Sequence, residues 1–166
     1  MRNLAHKLFV LIGLIACHSN NASSEIRLPS LISDNMVIQA NKSSTIWGWA
    51  EPKENISILI AGQAHNTTAN TDGEWRINLK PLQTSSKPLE LSIQGREQKI
   101  IIRNILVGEN WIASGQSNME MPFRWKDTQG IFDYKTEMMA ADYPEIRIFK
   151  VDTFRNPLPV EHVEGK

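Results

Sequence analysis

The chain has 166 residues, 41% hydrophobic and 22% charged, a composition that excludes intrinsic disorder and collagen-like repeats. Eighteen basic groups stand against 18 acidic ones, and no stretch gathers the basic ones into a patch. The field that would collect a polyphosphate is missing, so no nucleic-acid partner is expected.

At the start, Arg2 and Lys7 precede an uncharged run, Leu8 to Ala16. Its nine residues fall short of the roughly 20 that span a bilayer but suit the apolar region of a secretory signal. Removing residues 1–16 takes away two basic groups and no acidic ones, leaving 16 against 18 and a mildly acidic mature chain. The single cysteine, Cys17, follows Leu14-Ile15-Ala16, which resembles the lipobox at which bacterial lipoproteins are cleaved and acylated on the thiol. One cysteine forms no internal disulfide, and acyl chains on it would hold the protein at a membrane. The alternative is cleavage nearer Ala22-Ser23; with lipidation, the polar stretch Ser19 to Ser24 becomes a tether. Residues 1–24 are read as signal and tether of an exported protein of the bacterial periplasm, outer membrane or cell surface. Four Asn-x-Ser/Thr sequons, at Asn21, Asn41, Asn55 and Asn66, carry meaning only in a eukaryotic secretory pathway.

From Leu28 to about Val107 the chain breaks into short alternating segments separated by turn residues, with no competing helical period. Ile56, Ile58 and Ile60 alternate with Ser57 and Leu59 before a break at Ala61-Gly62-Gln63. Trp75, Ile77 and Leu79 alternate with Arg76 and Asn78, each run turning one apolar face inward. Between them, Asn70-Thr71-Asp72-Gly73 suits a hairpin or tight connection. Leu89, Leu91 and Ile93 repeat the pattern, and Lys99 to Ile102 forms another short run. About seven strands in some 80 residues bury a core only as two packed sheets or a barrel, and the expectation is a β-sandwich over 25–107. Trp47, Trp49 and Trp75 read as core or sheet-face packing rather than a sugar platform. His65 reads as a surface residue, with no second His, Cys or paired carboxylate nearby at metal spacing, and no metal or other cofactor is expected.

The pattern changes after Asn104. Ile105 to Asn110 leads into Trp111-Ile112-Ala113-Ser114, read as a short buried strand that stops at Gly115. Asp133 to Ala141 supports a helix that Pro144 ends, and Ile146 to Val151 alternates as a strand. Residues 111–151 therefore predict a right-handed parallel βαβ unit opening a second domain, 108–166. Met119 and Met121, like Met138 and Met139, read as packing filler.

Gly115-Gln116-Ser117-Asn118-Met119 occupies the turn between that strand and helix-forming sequence. A serine there can present its hydroxyl at the carboxyl edge of a sheet, with its backbone N–H aimed into the same space to help bind an oxyanion. Gly115 permits the tight turn, and Asn118 can tie the loop by hydrogen bonds. Spacing alone favours the plainer alternative, in which Ser117 caps the helix. The second glycine of a Gly-x-Ser-x-Gly elbow is absent, so the α/β-hydrolase reading fails.

A longer match adds to this. Val107-Gly108-Glu109-Asn110-Trp111-Ile112-Ala113-Ser114-Gly115-Gln116-Ser117-Asn118-Met119-Glu120-Met121-Pro122 resembles the segment holding the nucleophilic serine of the sialate O-acetylesterases, in the SGNH hydrolase superfamily. Leu28 to Gln39, Trp47-Gly48-Trp49-Ala50 and Asp72-Gly73-Glu74-Trp75 are similar to the family's N-terminal β-domain, and Ala141 to Arg147 to its helix-to-strand passage. The resemblance covers about residues 26–155. It implies an exported enzyme that hydrolyses O-acetyl esters on sialic acid or another acetylated saccharide. Ser117 would be the nucleophile and, through its backbone N–H, one oxyanion donor; Gly115, Gln116 and Asn118 would support the loop. No cofactor is implied.

Two departures matter. Asn110 stands where Gly-Glu-Val-Trp is expected, placing a polar side chain beside the strand. The family's catalytic histidine, in an Asp-x-x-His-type block, has no counterpart: His6 and His18 lie in or beside the signal, His65 in the β-domain, and His162 follows Pro159 where aspartate is wanted. The expectation is a truncated esterase, its remaining hydrolase part missing and its activity as this chain lost or incomplete. The alternative function is a non-catalytic glycan-binding or assembly module built on the β-sandwich.

Overall fold

A computed structural model describes residues 25–123, 131–152, 158, 160 and 162–166. Residues 1–24, on which the expected signal and Cys17 fall, lie outside the described residues.

Among the described residues seven strands are present: β1 (Val37–Gln39), β2 (Ser44–Trp49), β3 (Asn55–Ile60), β4 (Gln63–Thr68), β5 (Glu74–Leu79), β6 (Ser85–Gln94) and β7 (Lys99–Gly108). They form two sheets, a five-stranded one in the order β1-β7-β6-β3-β4 and a two-stranded one of β2 and β5. All pairs are antiparallel except β1 with β7, which run parallel with Val37 opposite Leu106.

The alternation read from the sequence is the alternation of burial. Ile56, Ile58 and Ile60 from β3, Leu91 and Ile93 from β6, and Ile102 and Ile105 from β7 face Ile46 from β2 and Trp75, Ile77 and Leu79 from β5 in one continuous core. Two sheets closing on one apolar interior make this a β-sandwich-type domain. Each buried aliphatic side chain contributes about 1.5–3 kcal/mol by leaving water.

Local chemistry sets the connections. Ala61 and Gly62 form a two-residue hairpin loop, both with positive φ (47° and 74°), the backbone that matches the twist of the flanking strands. Asn70 to Gly73 makes the tight connection from β4 in one sheet to β5 in the other: Asn70 Oδ1 accepts from the N–H groups of Asp72 (2.9 Å) and Glu74 (2.8 Å). The segment Lys99 to Ile102 continues through Asn104 into Ile105 to Gly108 as one strand. Between the pairs Leu91–Ile102 and Leu89–Ile105, β7 carries one residue more than β6, a bulge that Asn104 accommodates with φ 57°.

One buried charge lies under this frame. Glu54 is 1% exposed; its Oε1 accepts the N–H of Arg96 at 2.8 Å and its Oε2 that of Glu51 at 3.2 Å. Gly95 leaves room for it, since a Cβ there would collide with Glu54 Oε1 and with Ile26.

Past Gly108 the expectation of a strand-loop-helix-strand unit holds only for its helix. Helix α2 spans Tyr134–Ala140, after a one-turn helix α1 at Ser117–Glu120. Trp111 to Ser114 is irregular, with Trp111 89% and Ile112 96% exposed, not a buried strand. Ile146 to Lys150 forms no ladder, and Ile148 is 84% exposed; only Val151 makes a single antiparallel bridge, with Gly165. A parallel strand needs neighbours on its edges and cover on its faces, and the described residues supply neither. Met119, Met121, Met138 and Met139 are exposed, so they do not fill a core here.

Candidate functional site

Gly115 leads into α1 through Gln116, the cap residue, whose side chain makes no capping bond. The turn closes by Met119 N–H donating to the Gln116 carbonyl at 2.8 Å. Gly115 stands in close approach to Met119: a Cβ at this position would lie 2.5 Å from Met119 Cγ, so the methionine side chain would have to shift. Ser117 is the first residue of α1 and is exposed, as are Gly115 and Gln116. At the first turn of a helix the backbone N–H groups lack intrahelical acceptors, so the N–H of Ser117 belongs to the set open to an external oxygen.

The described histidines are engaged elsewhere. His65 Nε2 lies 3.0 Å from Gln63 Oε1 on β4, the polar edge strand. His162 packs edge-on against Trp49, with ring centroids 4.4 Å apart. The structure therefore does not bring a proton acceptor from either residue to Ser117. Among the described residues no three His, Cys, Asp or Glu side chains converge as metal ligands.

The three tryptophans separate. Trp75 is buried in the core, its indole N–H without a partner among the described residues. Trp47 is half-buried against that core. Trp49 is half-buried too, with the Arg27 guanidinium 5.7 Å from its ring centroid. Trp47 and Trp49 line a groove of about 300 Å³ with Asn70, Glu74, Arg76 and His162, away from Ser117.

Gln39, which sequence reasoning gave no role, and Asn110, which it marked only as a departure, shape the passage toward the serine. Gln39 Oε1 accepts the Asn110 N–H at 2.9 Å, and Asn110 Nδ2 donates to the Val37 carbonyl at 3.2 Å. The residue that departs from the expected valine thus ties the chain leaving β7 to edge strand β1, a role only a polar side chain fills. Gln39 Nε2 also donates to Glu109 Oε2 at 3.0 Å.

No family model matches the chain. It is 27% identical over 159 residues to the sialate O-acetylesterase of Mus musculus, an alignment covering 89% of this chain and 28% of that protein. The sialate O-acetylesterase of Homo sapiens is likewise 27% identical, over 157 residues, 87% of this chain and 29% of the relative. Among solved structures, a carbohydrate acetylesterase from Xanthomonas citri superposes with a TM-score of 0.76 at 29% identity, over 86% of this chain and 32% of that one. The chain spans less than a third of the length of these relatives.

Proposed function

We propose that this sialate O-acetylesterase-like chain is the leading part of a carbohydrate O-acetylesterase. Residues 25–107 form its β-domain, and residues 108–166 open an SGNH-type hydrolase domain. The observation that carries the reading is the Gly115-Gln116-Ser117-Asn118 turn at the head of α1, within a chain that aligns over most of its length with enzymes named for this chemistry. What those relatives are named for acting on, acetylated sugars and sialate among them, is the proposed substrate class here.

In this mechanism Ser117 Oγ attacks the acetyl carbonyl while a histidine takes the hydroxyl proton. The carbonyl oxygen, now negative, accepts the Ser117 backbone N–H, with Gly115, Gln116 and Asn118 holding the turn. The tetrahedral adduct collapses, expelling the sugar hydroxyl with the proton from histidine, and water then releases acetate from the serine ester. The base comes from hydrolase sequence beyond the described residues. A serine without its base loses several orders of magnitude in rate, so this chain alone is expected to release acetate several orders of magnitude more slowly than the complete protein. In the complete protein, Ser117→Ala should lower acetate release from acetylated saccharides by about 10⁴-fold or more without moving the melting temperature; undiminished turnover would remove Ser117 from the mechanism. Export with acylation at Cys17 belongs to the same proposal, and a diacylglyceryl mass increment on the peptide starting at Cys17 is its signature.

The tryptophan groove favours a second reading, a glycan-binding β-domain. Trp47 offers an apolar surface to sugar C–H groups beside the polar Asn70, Glu74 and Arg76, while the Trp49 ring carries Arg27 and His162 against it. Calorimetric titration with acetylated oligosaccharides decides it: millimolar or tighter binding lost in Trp47→Ala supports a binding module, and no heat leaves the domain a scaffold.

A further inference from the structure

The stretch after α2 has almost no ladder of its own, yet it is fastened to the β-domain at a built polar site. Asn35, in the turn before β1, and Asn104, in the bulge of β7, both hold left-handed backbone, with φ 68° and 57°. Asparagine tolerates this conformation better than most side chains. The two bends are locked face to face: Asn104 Nδ2 donates to Asn35 Oδ1 at 2.7 Å, Asn35 N–H to the Arg103 carbonyl at 3.0 Å, and Arg103 N–H to Asp34 Oδ1 at 2.7 Å.

Three oxygens of this pair accept from Arg147, one of them shared with the Asn104 amide. Its Nη1 donates to the Asn35 carbonyl (3.4 Å) and to Asn35 Oδ1 (3.3 Å), and its Nη2 to Asn104 Oδ1 (3.4 Å). The Nε donates to the carbonyl of Pro144 at 3.0 Å, and Ile146 N–H closes onto the Tyr143 carbonyl at 2.9 Å, so a local turn aims the guanidinium. A planar fork with five donors serves two bends and its own turn together; an ammonium on a flexible stem does not.

Further contacts follow the same line. Lys150 and Lys166 exchange backbone hydrogen bonds (2.8 and 3.1 Å), and Asp152 N–H donates to the Glu164 carbonyl at 2.9 Å. The Glu164 carboxylate accepts from Ser30 Oγ, and His162 rests on Trp49.

We propose that the Asn35–Asn104 pair is a receptor for the Arg147 guanidinium, through which the β-domain docks residues 144–152 of its own chain, together with 162–166, as a clamped strap. The segment behind the serine turn is then fixed to the sandwich rather than hinged from it. This inference stands apart from the esterase reading, since it concerns docking and not chemistry.

Amide hydrogen exchange on the 166-residue chain tests it. The N–H groups of Lys150, Asp152 and Lys166 should exchange at least tenfold more slowly than those of Trp111 to Ala113. Arg147→Ala should raise their exchange about five- to tenfold, while Leu91 and Ile93 in the core stay unchanged. Asn104→Gly, which keeps the left-handed bend and deletes the amide, should do the same, and Arg147→Lys should not restore protection. Equal exchange in the parent chain and in Arg147→Ala overturns the proposal, as does full protection in Arg147→Lys, which would mean that charge alone holds the strap. If Asn104→Gly loosens Leu91 and Ile93, the two Arg147 variants decide alone.

Discussion

Glu54 shows how one side chain holds two turns. Its carboxylate accepts N–H groups from Glu51, at the exit of β2, and from Arg96, in the connection between β6 and β7, in a site closed by Gly95. Glu54→Ala removes the acceptors and leaves those part-buried donors without their partners. The expected loss is about 2–4 kcal/mol, seen as a melting temperature lower by roughly 10 °C or more in a domain of this size. Nothing in Glu51-Pro52-Lys53-Glu54 marks the fourth residue as buried, because its partners are backbone groups, which every sequence has. Asn110 was legible as an anomaly but not as a tie to β1, for the same reason. Ser117 was legible through the long motif around it, whereas the bulge geometry that makes Asn35 and Asn104 a pair leaves no mark on residue spacing.

Among the elements, strands that bury one face were the readable ones. In β3, β5 and β6 the apolar period of two is the period of burial, and the sequence carries it directly. The opposite case is β4, Gln63 to Thr68: an edge strand with one face exposed and the other only half-buried needs no apolar period, so its paired backbone is invisible in composition. Ile146 to Val151 has the period without the ladder, since alternation states what a strand would bury and only a neighbouring backbone makes it one. The contrast is measurable in this chain. Ile93→Ala, at a fully buried position, should cost about 2–5 kcal/mol, while Ile148→Ala should shift denaturant stability by less than about 0.5 kcal/mol. Similar losses for both would mean that residues 146–151 pack in a way their exposure denies.

At the scale of the molecule, stability is concentrated before Gly108. The continuous core draws on both sheets of the sandwich, while the residues beyond it expose Trp111, Ile112, Phe123, Phe132, Met139 and Ile148. A chain of residues 25–108 alone should melt cooperatively within a few degrees of the 166-residue chain; a much lower midpoint would show that the later segment carries folding energy. The parallel pairing of β1 with β7 also dictates a sequence of events during synthesis. Val37 meets Leu106 at a separation of 69 positions, so the first strand made has to wait, its backbone bonded to water, until nearly the whole domain has left the ribosome. Pairing across such distances is slow next to closing the β3–β4 hairpin. The sandwich is therefore sealed last at the edge from which the serine turn departs.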